Sequence, residues 1–484
     1  MSDKDIPIDV NPVLPEDVNS GKCGPAPPSY EEVMGQYETS VQMNQPELPS
    51  LAYIDIMPRM TKPGNLQINV MPEFQPFQEI VRGANAWLAQ NPGLAVWKCE
   101  TVERKVLKGQ GHTRVRVDLD SMAYRESAWN CNCYVFGIRM WLTQRASDQK
   151  TTQEIGLVNI SPPEKEVEYT SYHRAGFIGL RHYMTACRVH TLKTYEGLRK
   201  SIEEFNAKVK ANPIPGSVLN VETATLKFAE GFSTKSAQEV AEMSSWHEMS
   251  GMIGRRRTQV LRMFYVKGAP TTPQLEMAEF LPTRIGQAGL GRPIRFADFS
   301  DAENQAAEWL RAQRGIRLLN IETREAKYNT FFDMGGQVNI DTDSTDDFDL
   351  PMFESHKLRF LRVFFTSAGA PVATSYENTS LTTRVFPPVR CKGEIGYETM
   401  MQTMARIDAW LKLTGLPIFG VETTQVLDEG PSSFKKSQYK LRGFVGKIWV
   451  TAIKIYFAPP PYISVPEYLV AAGSGGKSST CNIL

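Results

Sequence analysis

The residues of this sequence that could do chemistry recur as four Glu-Thr pairs, each followed at a distance by a base. The glutamates lie 122, 100 and 100 residues apart: Glu100, Glu222, Glu322 and Glu422. The bases follow their glutamates by 32 to 40 positions: Arg139, Arg262, Arg362 and Lys454. Each pair could form an acid–base site, but opposite charges at a fixed spacing are also typical of facing residues on neighbouring strands. Because the pairs recur so regularly, we expect them to be structural.

Other candidate clusters do not complete a known site. Cys131 and Cys133 share a face of an expected strand but have no further Cys or His pair to complete the four ligands of zinc. The acidic run 341–349 resembles a calcium loop, yet Asp346 stands where an EF-hand requires glycine. The sequence contains no G-x-S-x-G motif, no phosphate-binding loop and no H-E-x-x-H motif. We therefore expect no metal and no cofactor, and the sequence favours a non-enzymatic protein over an enzyme.

A PPxY motif, formed by Pro27, Pro28 and Tyr30, lies in an acidic amino-terminal arm, residues 1–61. Residues 1–50 hold nine acidic residues against two basic ones and little apolar surface, so we expect the arm to be disordered. Paired prolines favour the extended conformation that aromatic grooves bind. The motif resembles the ligands of WW domains, including those of HECT-type ubiquitin ligases. Tyr30 is also a candidate phosphorylation site, since its surroundings fit a sorting signal and a Src-homology-2 ligand.

A second PPxY match, formed by Pro459, Pro460 and Tyr462, closes the last apolar run of the sequence. Corresponding runs end in Gly-Ala-Pro at residues 268–270 and 369–371, so the match is typical of a structural turn. A second WW-binding site remains the alternative. Two accessible sites could bind tandem WW domains with raised avidity.

The flexible tail, residues 471–484, ends in Cys481-Asn482-Ile483-Leu484, which resembles a CaaX prenylation signal. A final leucine favours a geranylgeranyl group on Cys481; an unmodified cysteine is the alternative. One prenyl chain gives reversible membrane binding, so stable attachment needs a second contact or self-association.

Internal similarity organises the rest of the chain. Around each Glu-Thr pair the pattern predicts strand–helix–strand–strand, a unit of about 100 residues with amphipathic helices. We expect an α+β fold in which four such units pair into two similar domains, 62–282 and 283–470. This layout resembles that of SOUL haem-binding and bacterial effector-binding domains, which would imply a ligand cleft.

Composition excludes several functional classes. Lys+Arg number 54 against 53 Asp+Glu, which argues against a nucleic-acid partner, and no apolar run reaches membrane-helix length. The acidic start is not a secretory signal, so we expect a cytoplasmic protein at the cytoplasmic face of membranes. The leading hypothesis is a prenyl-anchored adaptor that recruits WW-domain proteins. The alternatives are a protein that holds an apolar small molecule or haem in a duplicated cleft, and a self-assembling protein that recruits budding machinery.

Overall fold

The computed structural model describes residues 50–65, 70–108, 115–126, 132–145, 152–178, 181–228, 236–248, 255–286, 294–328, 340–349, 355–367, 381–391, 396–430, 432–441 and 447–457. The helices in these ranges are α1 (Phe77–Gln90), α2 (Leu198–Ala211), α3 (Ala237–Ala241), α4 (Phe299–Ala312) and α5 (Met400–Thr414). None of them is long and apolar enough to cross a bilayer.

Strands make up most of the described residues. In the first half of the chain they are β1 (Ala52–Ile56), β2 (Met60–Lys62), β3 (Glu73–Phe74), β4 (Leu94–Lys108), β5 (Val115–Val117), β6 (Ala123–Glu126), β7 (Asn132–Gln144), β8 (Ile155–Ile160), β9 (Glu164–Ile178), β10 (Arg181–Tyr195) and β11 (Ile214–Phe228). The second half adds β12 (Ser245–Glu248), β13 (Arg255–Thr271), β14 (Gln274–Phe280), β15 (Ile316–Tyr328), β16 (Asp346–Asp349), β17 (Ser355–Ser367), β18 (Thr382–Phe386), β19 (Ile418–Leu427), β20 (Gln438–Leu441) and β21 (Lys447–Phe457). This strand-rich composition with few helices is consistent with the expected α+β class.

Four antiparallel sheets have the same pairing order. A long central strand lies in the middle of each: β7, β13, β17 or β21. A long inner strand pairs with one of its edges (β4, β11, β15 or β19), and a lead strand pairs with the other (β1, β8, β14 or β18). Three of the central strands, β7, β17 and β21, are buried over most of their length, as strands covered on both faces must be.

A short strand completes each sheet. It pairs with the same edge of the central strand as the lead strand does, and it comes from a different part of the chain. Strand β12 pairs with β7, β16 with β13, and β20 with β17, so each sheet receives a strand from the segment that follows it. Strand β6, from the first segment, pairs with β21 of the last. The exchange therefore closes on itself, and none of the four sheets is complete without another segment.

The helices cover the sheets because one stripe of each is apolar. In α5 the stripe consists of Met400, Met404, Ile407 and Leu411, at the three- and four-residue spacing of one helix face. Thr399 and Gln402 form a capping box at its start, and Gly415 ends it with a φ of 63°. The stripe packs on the inner and central strands, against residues such as Val421 and Ile453.

Three features differ from the sequence-based expectation. The predicted arm runs to residue 61, but Ala52–Ile56 form β1, where pairing with β7 and burial of Leu51 offset the cost of ordering. The expected boundary near 282 follows β14, yet β14 pairs with β17 on the other side of that boundary. The predicted strand–helix–strand–strand unit also lacks the short exchanged strand, whose four residues are too few to carry a hydrophobic period. The described residues from 50 to 457 belong to one compact unit.

Candidate functional site: the Glu-Thr ring and its cavity

The four inner strands meet at the centre of the molecule, and each is bulged just before its Glu-Thr pair. The register with the central strand shifts by one residue at the same place in all four, at Trp97, Leu219, Leu319 and Phe419. A bulge increases local twist and redirects the side chains that follow it. Here the glutamates that follow reach the neighbouring inner strand.

Each glutamate accepts hydrogen bonds from the threonine of a neighbouring inner strand. The Thr101 N–H donates to Glu222 at 2.9–3.0 Å, and the Thr223 N–H donates to Glu322 at 3.0 Å. The Thr323 N–H donates to Glu422 at 2.6 Å. The Thr423 N–H donates to Glu100 at 3.2–3.3 Å, which joins residues 323 positions apart. These contacts form a closed cycle of four, which we call the Glu-Thr ring.

The bases bind the threonine hydroxyls of the same ring. Four N–H groups donate to Thr Oγ1 atoms: Arg262 to Thr101 at 2.7 Å, Arg362 to Thr223 at 2.9 Å, Arg139 to Thr423 at 3.0 Å and Lys454 to Thr323 at 3.4 Å. In three of the four junctions the hydroxyl in turn donates to the neighbouring glutamate. Each junction therefore joins a buried carboxylate and a buried cation through a threonine that is at least partly buried.

The expected cross-strand registers are confirmed, but the expected charge pairing is wrong. Glu100 lies opposite Arg139, and the other three glutamates lie opposite their bases in the same way. The lead strands, however, supply the carboxylates that neutralise two of the bases. Asp55 accepts two bonds of 2.7 Å from Arg139, and Glu279 accepts bonds of 2.7 and 2.9 Å from Arg362. The glutamates are occupied by the neighbouring threonines instead.

The junction between Glu222 and Arg262 has no carboxylate on its lead strand. Asn159 of β8 lies opposite Arg262, whose guanidinium stacks 3.5 Å from the Phe77 ring and donates to the carbonyl of Ala241. Burial raises the pKa of Glu222 to about 7, although Thr101 and Arg262 oppose the shift. Burial likewise lowers the pKa of Arg262 to about 10. At Asp55 burial also favours a higher pKa, but Arg139 and Arg104 outweigh it and hold the pKa below its usual value.

A layer of polar side chains lies two residues before three of the four glutamates, and Gly420 takes this position before the fourth. The side-chain amide of Asn220 bonds the neighbouring strand twice. Its oxygen accepts from the Cys99 N–H and its nitrogen donates to the Cys99 carbonyl, both at 2.9 Å. Lys98 occupies the same position in β4 and donates to Asn320 at 2.7 Å and to the carbonyl of Val421. Its ammonium group also lies 3.2 Å from Glu100. These side chains seal one side of the ring.

Aromatic side chains from the exchanged strands cap the other side, three residues after the glutamates. The Trp246 Nε1–H donates to Glu103 at 2.6 Å, and the Tyr439 hydroxyl donates to Glu325 at 2.5 Å. The Tyr124 hydroxyl donates to Gln425 at 3.3 Å. Each of these aromatics is the second residue of a short strand that joins another segment's sheet, so the strand exchange also fixes the polar lining.

A cavity of about 300 Å³ lies between these layers. Seven acidic and seven basic residues line it, together with threonines and the aromatic caps. One buried carboxylate atom in the lining, Glu322 Oε1, has no hydrogen-bond partner among the described residues, and Arg324 Nε lies 3.8 Å from it. This lining suits water or a small polar solute, because an apolar ligand would leave many charged groups unsolvated.

The motif residues predicted from the sequence lie outside the described residues. These are Pro27, Pro28 and Tyr30, then Pro459, Pro460 and Tyr462, and the lipidation site Cys481. The described part of the chain holds no group of three or more His, Cys, Asp or Glu side chains arranged to bind a metal. Sequence reasoning missed Asp55, Glu279 and the aromatic caps. The polar residues two positions before three of the glutamates, such as Lys98 and Asn220, were the available signal for the layers of the site.

No protein-family model matches this chain, and neither a curated protein nor a solved structure matches it.

Substituting Thr101 by valine tests the contribution of one ring junction. Thr101→Val removes the hydroxyl that bonds Glu222 and Arg262 and leaves buried charged groups short of partners, so we expect a loss of about 2–3 kcal/mol in the free energy of unfolding. The matched control is Thr258→Val, since Thr258 is fully buried and its hydroxyl has no hydrogen-bond partner among the described residues. Denaturant unfolding should show the control to be neutral or stabilising. Equal losses in both variants would contradict the role of the ring.

The raised pKa of Glu222 predicts a specific pH dependence of stability. Its ordinary value is 4.5 and its folded value is about 7, so the folded state binds the proton more tightly. The resulting stabilisation is complete below about pH 4.5 and is lost as the pH rises towards 7. At about 1.4 kcal/mol per pKa unit, wild type should lose roughly 3 kcal/mol relative to Glu222→Gln over this window.

Denaturant unfolding at several pH values between 4 and 8 measures this difference. Glu203→Gln, on the exposed face of α2, controls for the loss of one acidic residue. Parallel pH profiles for wild type and Glu222→Gln would show that Glu222 does not titrate in this window.

Proposed function

We propose that this chain is a non-enzymatic adaptor that is anchored to the cytoplasmic face of membranes by a prenyl group and recruits WW-domain proteins. The observation that carries the proposal is what the recurring charged residues of the folded body bind. The four Glu-Thr pairs and their bases bind one another across the ring, which is a structural role. The recognisable docking chemistry of the chain lies instead in the PPxY motif and in Cys481.

The adaptor body is built from four tandem copies of one unit. This part of the proposal is supported by five elements that recur in one order: the lead strand, the helix, the bulged inner strand, the short exchanged strand and the central strand. Copies that exchange strands in a closed cycle give a rigid scaffold, because each sheet depends on a neighbour.

Recruitment depends on Pro27, Pro28 and Tyr30. An extended proline pair loses little entropy on binding, and the tyrosine ring gives an aromatic groove its specific contact. WW-domain proteins, among them HECT-type ubiquitin ligases, are the partners that this chemistry fits. The second motif at Pro459, Pro460 and Tyr462 would add a second point of attachment and higher avidity.

The cavity lining favours the adaptor over a protein that holds haem or an apolar molecule. The walls are charged and hydroxylated, and the described residues that line them include no His, Cys or Met to serve as an axial ligand to haem iron. The exchanged edges of the four sheets are also filled within the chain. A self-assembling protein would therefore need other surfaces than these edges.

The recruitment step predicts a tyrosine-specific loss of binding. The full chain should bind a WW domain of the HECT-ligase type in titration calorimetry, and Tyr30→Ala should weaken binding at least thirtyfold, as loss of a central aromatic contact does. Tyr37→Ala, in the same acidic segment, is the matched control and should bind as wild type does. Tyr462→Ala reports on the second motif. Unchanged binding of Tyr30→Ala would refute recruitment through this motif.

The anchoring step predicts a covalent change at one cysteine. Incubation with a geranylgeranyl donor and its transferase should add one geranylgeranyl mass to wild type and none to Cys481→Ser. The geranylgeranyl group is expected because Leu484 is the last residue of the motif. Cys391→Ser is the matched control, because Cys391 is an exposed thiol in the body. Intact-mass measurement decides the result. No mass gain in wild type, or a gain that persists in Cys481→Ser, would refute the anchor.

A further inference from the structure

Strands β9 and β10 form a two-stranded ribbon, and among the described strands they pair only with each other. Each has 15 residues, so the ribbon spans about 50 Å at 3.3 Å per residue. At its base the Glu196 N–H donates to the Pro163 carbonyl at 2.8 Å, and Glu164 accepts from the Ala237 N–H. The ribbon lies between β8 and α2, and it accounts for the longer spacing of 122 residues between Glu100 and Glu222.

The ribbon carries an excess of positive charge, whereas the whole chain is nearly neutral. Residues 169–195 contain no Asp or Glu, while the chain as a whole has a net charge of +1. The same stretch holds four Lys or Arg residues and three of the six histidines of the chain: Arg174, Arg181, Arg188, Lys193, His173, His182 and His190. Acidic residues of the ribbon occur only near its base, at positions 164–168. Positive charge is therefore concentrated towards the hairpin end.

At the hairpin end apolar residues of one strand pair with basic residues of the other. Phe177 pairs with His182, Ile178 with Arg181, and Met184 with Arg174 in the strand register. Aromatic and aliphatic residues beside arginine are typical of segments that lie in a bilayer interface, where apolar groups enter the acyl boundary and arginine meets lipid phosphates. A nucleic-acid contact would explain the arginines and Phe177, on which a base could stack, but not the aliphatic residues Ile178 and Met184.

We propose that the β9–β10 ribbon is a membrane-contact element whose hairpin end enters the interface of an anionic bilayer. The inference deepens the proposed function and rests on it, since one prenyl chain alone gives only reversible binding and needs a second contact. A two-stranded ribbon is marginally stable alone in water, and contact with a bilayer would add burial of apolar surface.

Vesicle co-flotation of the full chain carrying Cys481→Ser tests the ribbon without the prenyl group. The probes are vesicles of 70% phosphatidylcholine with 30% phosphatidylserine, and vesicles of phosphatidylcholine alone. Two variants change the ribbon: Arg174→Gln with Arg181→Gln, and Phe177→Ser with Ile178→Ser. The matched control is Lys200→Gln with Lys208→Gln, which removes two exposed charges from α2.

We expect binding to the anionic vesicles, weaker binding to the neutral ones, and a loss of about thirtyfold for the double arginine variant, as two bases near an anionic surface imply. The apolar variant should also lose binding, the control should not, and all variants should keep the thermal midpoint of the parent. Equal binding by parent and ribbon variants would overturn the proposal, as would capture by RNA in place of vesicles. Because Cys481 is absent throughout, this failure is distinguishable from failure of the prenyl anchor.

Discussion

The contact on which the rest of the structure depends is the bond between a buried glutamate and the backbone N–H of a threonine on another strand. A carboxylate that is more than nine-tenths buried must find donors or lose its charge. Each inner strand carries such a glutamate but obtains its main-chain donor from a neighbour, so none of the four is satisfied alone. The requirement draws the strands into a cycle that ends with Thr423 bound to Glu100. Strand exchange at the periphery follows the same cyclic order.

The four units differ from one another at a few positions, and these positions have properties that the regular contacts do not share. Lys98 stands where β11 and β15 carry an asparagine, and it reaches across to Asn320; one buried oxygen of Glu322 has no partner among the described residues. Asn159 stands where two of the other lead strands, β1 and β14, carry an acid, and the pKa of Glu222 is raised there. The largest departure is the ribbon between β8 and α2. The regular contacts maintain the scaffold, and the proposed membrane contact and the raised pKa of Glu222 both lie at irregular positions.

Much of the scaffold was predictable because its signals are local. The Glu-Thr spacing located the inner strands, and the base 39 or 40 residues later correctly indicated Arg139, Arg262 and Arg362 as their cross-strand partners. The exchanged strands were not predictable, because four residues such as those around Trp246 carry no period and their pairing depends on tertiary contacts. Asp55 was missed since its strand follows a proline-rich acidic segment. Its role as the counter-ion of Arg139 depends on contacts 84 residues apart.

Amide hydrogen exchange at the four ring threonines tests ring closure most directly. If the ring is the closing contact, the N–H groups of Thr101, Thr223, Thr323 and Thr423 exchange only through global unfolding and share one opening free energy. The Thr423 amide is decisive, because its acceptor Glu100 lies on the first inner strand of the chain. Exchange of the Thr423 amide at a much lower free energy than the other three would show that the cycle is open between the last and first inner strands, and would contradict this account.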